Sequence, residues 1–199
     1  MGTYNTLNLG ILLRDYEESA VLQKIQEFDC PANEEINTFF HNKAIGSVKR
    51  HQTATFLVVD EKNQIHGFYS LTHKSLEVSA SNLSKSYAKK IAMYSDFDED
   101  RNSYYISAFL IAQFSKNQNI PRDSVISGDE MMNLVLTHLR KVRDEIAGNL
   151  VYLECEDKEK LLSFYQRNGF VEFGERFSKT ENTNYIQLLR FLYRQSFLN

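Results

Sequence analysis

Residues 126–130 (ISGDE) and 164–170 (FYQRNGF) are the two stretches that decide the predicted fold. Residues 104–114 form an apolar run before the first stretch, and residues 150–155 (LVYLEC) form another between the two. The predicted order is strand, loop, long helix, strand, short helix and strand. If the two strands that flank the long helix are parallel, their connection crosses over right-handedly. In such a sheet we expect a ligand at the carboxyl end of the parallel pair, near the helix N-terminus.

The remaining strands are predicted to be joined by hairpins, so the fold class is α/β, with a mixed, mostly antiparallel sheet, one parallel strand pair and flanking helices. The further predicted strands lie at 7–13, 55–59, 65–76, 171–177 and 185–191, and the further predicted helices at 15–28 and 34–49. Asn33 is the predicted N-cap of the helix at 34–49. We expect a single domain over residues 1–199, with a surface insertion at 77–103 that contains a short helix near residues 85–91.

Composition limits the function classes. The 199 residues are 42% hydrophobic and carry a net charge of −3, which predicts neither nucleic-acid nor membrane binding by bulk attraction. Cys30 and Cys155 fit a reducing compartment, and the five histidines form no metal-binding spacing, so no metal is expected. His138 falls on the apolar face of a predicted helix. The sequence begins without a signal-peptide pattern, and we expect a cytoplasmic protein.

The loop before residue 128 admits two interpretations. A helix that starts near Ser127 leaves backbone N–H groups without partners, Gly128 lets the backbone approach an anion, and Arg122 adds a charged fork. The alternative is that Ser127 and Glu130 form a capping box that simply starts the helix. Asp129 and Glu130 also bring negative charge to the same place.

Tyr165 likewise admits two interpretations. A phenol has a pKa near 10, so it is protonated at neutral pH and can donate its proton to a leaving group. The alternative is a half-buried tyrosine that only packs on the apolar face of its helix.

Residues 109–174 resemble the core of the GCN5-related N-acetyltransferase superfamily. Residues 111–116 (IAQFSK) are similar to the strand whose backbone pairs with pantetheine in that family, and 123–128 (DSVISG) fall where it carries Q/R-x-x-G-x-G/A. Residues 164–170 resemble its F-Y-x-x-x-G-F signature, in which the tyrosine is the usual acid for the thiolate. The chain departs from the pattern at Asp123 and Ile126, and Lys158 stands where an asparagine is common.

The N-terminal half resembles the toxin branch of that superfamily, whose members belong to toxin–antitoxin modules and acetylate aminoacyl-tRNA. The similar segments are 28–30 (FDC), 33–40 (NEEINTFF), 56–60 (FLVVD) and 65–71 (IHGFYSL). The basic segments 49–51 and 81–90 are then RNA contacts or, alternatively, solvated surface charge.

The resemblance implies direct transfer of acetyl from acetyl-CoA to a primary amine, with Tyr165 as the acid and a strand amide near Phe114 as the donor to the carbonyl. The implied cofactor contacts are Phe114, Ser115, Lys116, Arg122, Asp123, Ser124, Val125, Ile126, Ser127, Gly128, Asp129, Lys158 and Phe164. Glu154, Glu156 and Ser107 stay open as the base or as members of a proton relay.

Several alternatives also stay open for acceptor and partners. The acceptor is the amino group of aminoacyl-tRNA, a protein amine or a small metabolite, or the chain is a CoA-binding interaction module without catalysis. An antitoxin and a second copy of the chain are the implied protein partners. The run 191–193 (FLY) is either a contact surface of a homodimer or simply part of a packed last strand.

Overall fold

The computed structural model describes residues 3–192, which form one mixed sheet flanked by helices. The strands are β1 (Asn5–Asn8), β2 (Ala54–Val59), β3 (Ile65–Ser79), β4 (Asp96–Asp98), β5 (Ser103–Lys116), β6 (Leu150–Glu156), β7 (Val171–Ser178) and β8 (Thr183–Phe191). The α-helices are α1 (Leu9–Asp15), α2 (Glu18–Ile25), α3 (Glu34–Thr38), α4 (Ala44–Lys49), α5 (Lys85–Ile91), α6 (Gly128–Ile146) and α7 (Glu159–Arg167).

The sheet has the order β1-β2-β3-β5-β6-β8-β7, and β4 pairs with β5 beside this path. Strands β5 and β6 are parallel, with Phe109 opposite Val151 and Leu110 opposite Tyr152. The β2–β3 and β7–β8 pairs are antiparallel, as the two predicted hairpins require. The α/β class, the mixed sheet and the single parallel pair are therefore confirmed for the described residues.

The chain divides into two compact units, and the first consists of residues 1–72 and 111–135. Its core is built around three phenylalanine rings, with Phe40 stacked on Phe68 at 4.0 Å and Phe28 edge-on to both at 5.0 Å. Helices α1, α2 and α4 add Leu9, Ile25 and Ala44 to the same cluster. The first unit thus buries its helices on β2 and β3.

The second unit consists of residues 73–110 and 136–199. Its core joins Leu76 and Val78 of β3 with Ile106 and Ala108 of β5, and further apolar residues of β6, β7 and β8 extend it. Ile91 of α5 is fully buried in this cluster, and the Ser84 hydroxyl caps that helix by accepting the N–H of Tyr87. The predicted short helix near residues 85–91 is therefore confirmed.

One predicted strand is wrong in most of its length. Residues 7–13 were expected to be extended, but β1 ends at Asn8 and α1 occupies Leu9–Asp15. The cause is the side chain of Asn8, whose Oδ1 accepts the N–H groups of Gly10 and Ile11 and so caps a helix.

The other helix predictions hold with one change. Asn33 Oδ1 accepts the N–H of Ile36, as expected of an N-cap. The predicted helix at 34–49 contains a π-helical turn, Phe39–Lys43, in which the N–H of Ala44 bonds to the carbonyl of Phe39. At the end of α7, Gly169 has φ +79° and the N–H of Phe170 reaches back to the carbonyl of Tyr165. This is the geometry in which a glycine just after the last turn ends a helix.

None of the helices within residues 3–192 has the length and apolar character that crossing a lipid bilayer requires. The expectation of one domain with an insertion at 77–103 stays a prediction. Tyr193, the last member of the aromatic run at 191–193, lies outside the described residues, whereas Phe191 ends β8.

Candidate active-site residues

The loop before α6 is held by hydrogen bonds within its own backbone. The N–H groups of Ser124 and Val125 both donate to the carbonyl of Pro121, at 2.8 and 3.0 Å. The side chains of Arg122, Asp123 and Ser124 are exposed. Arg122 is therefore placed where a soluble anion can reach its guanidinium.

Ser127 and Glu130 form the capping box that the sequence offered as one alternative. The Ser127 hydroxyl accepts the N–H of Glu130, and the Glu130 carboxylate accepts the N–H of Ser127, both at 3.1 Å. Hydrogen bonds from the side chain and the backbone N–H of Ser127 to the carboxylate lower the pKa of Glu130. The N–H of Ser127 is thus engaged inside the chain.

Ile126 is buried, and its N–H donates to Nδ1 of His66 at 3.3 Å. Since Nδ1 accepts, the proton of a neutral imidazole sits on Nε2, which lies 3.4 Å from Oδ2 of Asp60. Burial acts to raise the pKa of Asp60, but hydrogen bonds from Gln64, Lys62 and His66 outweigh it and lower that pKa. The carboxylate therefore stays ionised and fixes the imidazole tautomer.

These contacts narrow the set of amides that an anion can use. The N–H groups of Ser124, Val125, Ile126 and Ser127 already have acceptors. Within the described part of the chain, the N–H of Gly128 has none, and it opens the 19-residue helix α6. An anion at this helix start would use the Gly128 N–H, the helix dipole and the Arg122 side chain.

The end of β5 is held by Asn117, a residue that the sequence interpretation missed. Its side-chain NH₂ donates to the carbonyls of Glu27 and Ile65, and its Oδ1 accepts the N–H groups of Asp29 and Asn119. An asparagine directly after a long strand was the only available signal. Asn117 fixes the chain immediately after the predicted pantetheine-binding strand.

The side chains at the end of β5 differ in exposure. Ser115 is buried and its hydroxyl donates to Sγ of Cys30 at 3.4 Å. Phe114 and Lys116 are half-buried.

Tyr165 lies on α7 with only 8% of its surface exposed. Its ring meets Phe164 and Phe170 edge-on, at centroid distances of 5.0 and 5.9 Å. Burial raises the pKa of the Tyr165 hydroxyl, and the neighbouring Cys155 adds to the shift. In the described part of the chain the hydroxyl has no hydrogen-bond partner, so it is a protonated group able to donate to a ligand.

The candidate bases are engaged with other side chains. Glu154 accepts from Arg176 at 2.6 and 2.7 Å and from Gln187 at 2.8 Å. Glu156 pairs at 2.6 Å with Lys158, whose backbone caps α7. Both carboxylates would have to give up a partner before they accepted a proton.

Ser107 and His138 are the two further residues that the sequence singled out. Ser107 is exposed on β5, and its hydroxyl lies 3.4 Å from Nδ1 of His73. His138 is half-buried, as its helix face predicted, and burial followed by the charge of Lys141 lowers its pKa.

Solved structures of bacterial toxins have the same fold. AtaT complexed with acetyl-methionyl-tRNAfMet aligns with a TM-score of 0.62 and 18% identity over 94% of this chain and 94% of that chain. A tyrosine-to-phenylalanine mutant of KacT aligns with a TM-score of 0.63 and 17% identity over 95% of each chain. A tyrosine-to-phenylalanine mutant of the AtaT toxin, bound to the C-terminus of the antitoxin AtaR and acetyl-CoA, aligns with a TM-score of 0.61 and 14% identity over 96% of this chain and 92% of that chain.

No protein-family model and no curated protein matches the sequence. The similarity is therefore carried by three-dimensional structure, over nearly the full length of both chains. The chain has the fold of AtaT and KacT, in agreement with the predicted α/β class and mixed sheet.

Proposed function

We propose that this protein is an acetyl-CoA-dependent N-acetyltransferase. The observation that carries the proposal is Tyr165, a buried tyrosine with a raised hydroxyl pKa and a hydroxyl without a partner in the described residues. It stands on the helix that follows β6, in a chain with the fold of AtaT, which has been solved with acetyl-CoA. An unpaired phenol that stays protonated at neutral pH is suited to protonate a leaving thiolate.

In the proposed reaction, a neutral primary amine attacks the thioester carbonyl of acetyl-CoA. The new C–N bond forms as the C–S bond breaks, and the leaving thiolate takes the hydroxyl proton of Tyr165. The amine loses one proton, which returns through water to the Tyr165 phenolate, so the products are an amide and free CoA and the phenol is restored. The Gly128 N–H and Arg122 would hold the pyrophosphate, and the backbone at 114–116 would pair with pantetheine.

For the acceptor we propose the amino group of an aminoacyl-tRNA. AtaT is described in complex with acetyl-methionyl-tRNAfMet, which is a product of that reaction type. In this chain, Lys85 and Lys89 are exposed on α5 and can contact RNA phosphates. An antitoxin would be the protein partner, as AtaR is for AtaT.

The test measures binding and turnover separately. Calorimetry with acetyl-CoA measures binding, and release of free CoA in the presence of charged tRNA measures turnover. Tyr165→Phe should bind acetyl-CoA as the wild type does, while its turnover falls about 10²- to 10⁴-fold. Tyr152→Phe is the matched control, because Tyr152 is also buried in the second unit but is assigned no role.

Two results would contradict the proposal. Failure of the wild-type protein to bind acetyl-CoA would remove the enzyme interpretation. Equal turnover by the Tyr165→Phe and Tyr152→Phe variants would remove Tyr165 as the acid.

A small cationic amine is the second candidate acceptor, and one cavity favours it. An open cavity of about 460 Å³ lies at a bulge in β7, and its lining residues are Asn82, Glu172, Phe173, Gly174, Glu175 and Ile186. Glu172 accepts a hydrogen bond from Gln166 and Glu175 accepts one from Asn184, so a cation would compete with these neutral donors. Two carboxylates in a cavity of this size match a ligand that carries ammonium groups. Turnover with a polyamine but not with charged tRNA would favour this acceptor, and Glu172→Gln should then raise its KM.

A further inference from the structure

We propose that His66 is a positioning residue for the start of α6, and that protonation of His66 releases this start. The inference rests on the proposed function, because it assigns the regulation of the loop that would hold the pyrophosphate. It concerns only residues of the first unit.

The contact joins a strand to the loop across a sequence separation of 60 residues. His66 of β3 is 4% exposed and Ile126 is 1% exposed, so water cannot readily replace their hydrogen bond. Ile126 lies two residues before Gly128, whose N–H is the one amide of residues 124–128 without an acceptor in the described chain. The position of Ile126 therefore sets where that N–H points.

Gly67, the next residue of β3, also helps to fix the position of the start of α6. A side chain at Gly67 would collide with the carbonyl of Ser115 and with Sδ of Met131, a residue of the first turns of α6. The helix thus lies directly against β3, with His66 bonded to the loop and Gly67 leaving room for the helix. The hydrogen bond has little freedom to lengthen without moving the helix start.

The bond needs an unprotonated Nδ1. A proton added there from solvent replaces the lone pair by an N–H, which then faces the N–H of Ile126, and two donors cannot bond. Nε2 of His66 donates to Asp60 whether the imidazole is neutral or protonated, so protonation breaks only the hydrogen bond at Nδ1. The other ionisable groups near the imidazole are Tyr4, whose ring lies edge-on at 5.0 Å, and Glu130, which interacts with Tyr4.

The expected consequence is acid-sensitive binding of acetyl-CoA. The link requires a neutral imidazole, so it is intact where His66 is unprotonated and opens when acidification adds a proton at Nδ1. The Ile126 N–H then loses its acceptor, and the Gly128 amide loses its fixed direction. Affinity should fall on acidification by more than protonation of the cofactor phosphates alone would cause.

The first measurement needs no cofactor. Amide hydrogen exchange gives the protection factor of Ile126, which should be high at pH 7.5 and should drop at pH 5.5. His66→Asn keeps an acceptor near the Nδ1 position but does not titrate, so the Ile126 amide should stay protected at both pH values. His66→Leu removes the acceptor and should lower protection at both. His51→Asn, an exposed histidine of the same unit, is the matched control and should behave as the wild type.

The second measurement is calorimetry with acetyl-CoA at the same two pH values. His66→Leu should weaken binding at pH 7.5 about tenfold, the effect of one lost hydrogen bond. His66→Asn should bind nearly as the wild type does at pH 7.5 and should lose less affinity at pH 5.5.

The outcomes separate the two proposals. Equal Ile126 protection in the wild type and His66→Leu, or equal acid sensitivity of binding in the wild type and His66→Asn, would overturn the role of His66. No acetyl-CoA binding by the wild type would overturn the proposed function, and the exchange pattern would then decide the His66 link by itself.

Discussion

A β-carbon added to Gly67 would lie 2.7 Å from the carbonyl oxygen of Ser115, closer than real β-carbons approach any atom. The same carbon would meet Sδ of Met131 at 2.9 Å. Glycine is therefore required at this point of β3, although its φ is not in the left-handed region. The requirement comes from a neighbouring backbone, which cannot move aside as the end of a side chain can.

Gly67→Ala should lower the free energy of unfolding by about 2 kcal/mol, the usual cost of overpacking. Urea unfolding followed by circular dichroism measures the change. Gly46→Ala is the matched control, because its added carbon meets only the flexible guanidinium of Arg50. It lies within α4, where alanine is the better helix former, so it should be neutral or stabilising by up to about 1 kcal/mol. Equal losses in the two variants would contradict the clash.

Asn117→Ala should lower the free energy of unfolding by about 3 kcal/mol or more. Asn117 is 3% exposed, and its removal leaves the buried carbonyl of Ile65 and three part-buried backbone groups without these partners. Asn117→Asp keeps the two acceptor contacts but loses both donors, so it should also be strongly destabilising.

Asn184→Ala is the control for this change. Its NH₂ group donates to Glu175 at the exposed surface, and such substitutions alter stability by less than about 0.5 kcal/mol. Chemical denaturation of the three variants under one condition gives the comparison. A small effect of Asn117→Ala would mean that water replaces its four hydrogen bonds.

The capping box predicts a pH-dependent contribution to stability. Ser127→Ala should cost about 1 kcal/mol at pH 7, as the loss of an N-cap does. The Glu130 pKa is lowered in the folded state, so its contribution is present above the ordinary glutamate value and is lost as the pH falls through the folded value. The stability difference between wild type and Glu130→Gln should therefore shrink from pH 7 to pH 3. A difference that is constant over this range would exclude the ionised cap.

Cys155 should react slowly with thiol reagents in the folded protein. Burial, followed by the charges of Glu172, Asp157 and Glu156, raises its pKa to about 11. A rise of this size from a pKa of 9.0 lowers the thiolate fraction at pH 7.5 on the order of 100-fold. Peptide mapping by mass spectrometry after brief iodoacetamide treatment distinguishes it from Cys30. Rapid labelling of Cys155 in the folded protein, at the rate seen in urea, would contradict the shift.

Local signals in the sequence predicted local structure well. Asn33 begins its helix as expected, because a cap depends on residues only a few positions away. The strand prediction at 7–13 was wrong for a related reason. The apolar run fits a strand, but the side-chain oxygen of Asn8 caps a helix that begins at the next residue. The π-helical turn at Phe39–Lys43 leaves the apolar spacing almost unchanged, so the sequence showed no sign of it.

The candidate site was harder to predict because its contacts are distant in sequence. The bond from Ile126 to His66 spans 60 residues, and those of Asn117 span up to 90. Motif matching proposed Ile126 as part of an anion cradle, and the structure places its side chain in the core with its N–H engaged. The motif predicts Tyr165 as the acid, and this role stays a proposal. The burial of Tyr165 depends on packing of α7 that no motif describes.

The two compact units are interleaved along the chain, since each is made of two separate segments. On the ribosome, residues 1–72 must wait for residues 111–135 before their unit is complete, and at 5–20 residues per second this delay is on the order of several seconds. No single cut in the gene can separate the two units either. A truncation library would therefore yield incomplete products, whereas deletions inside one segment would test each unit separately.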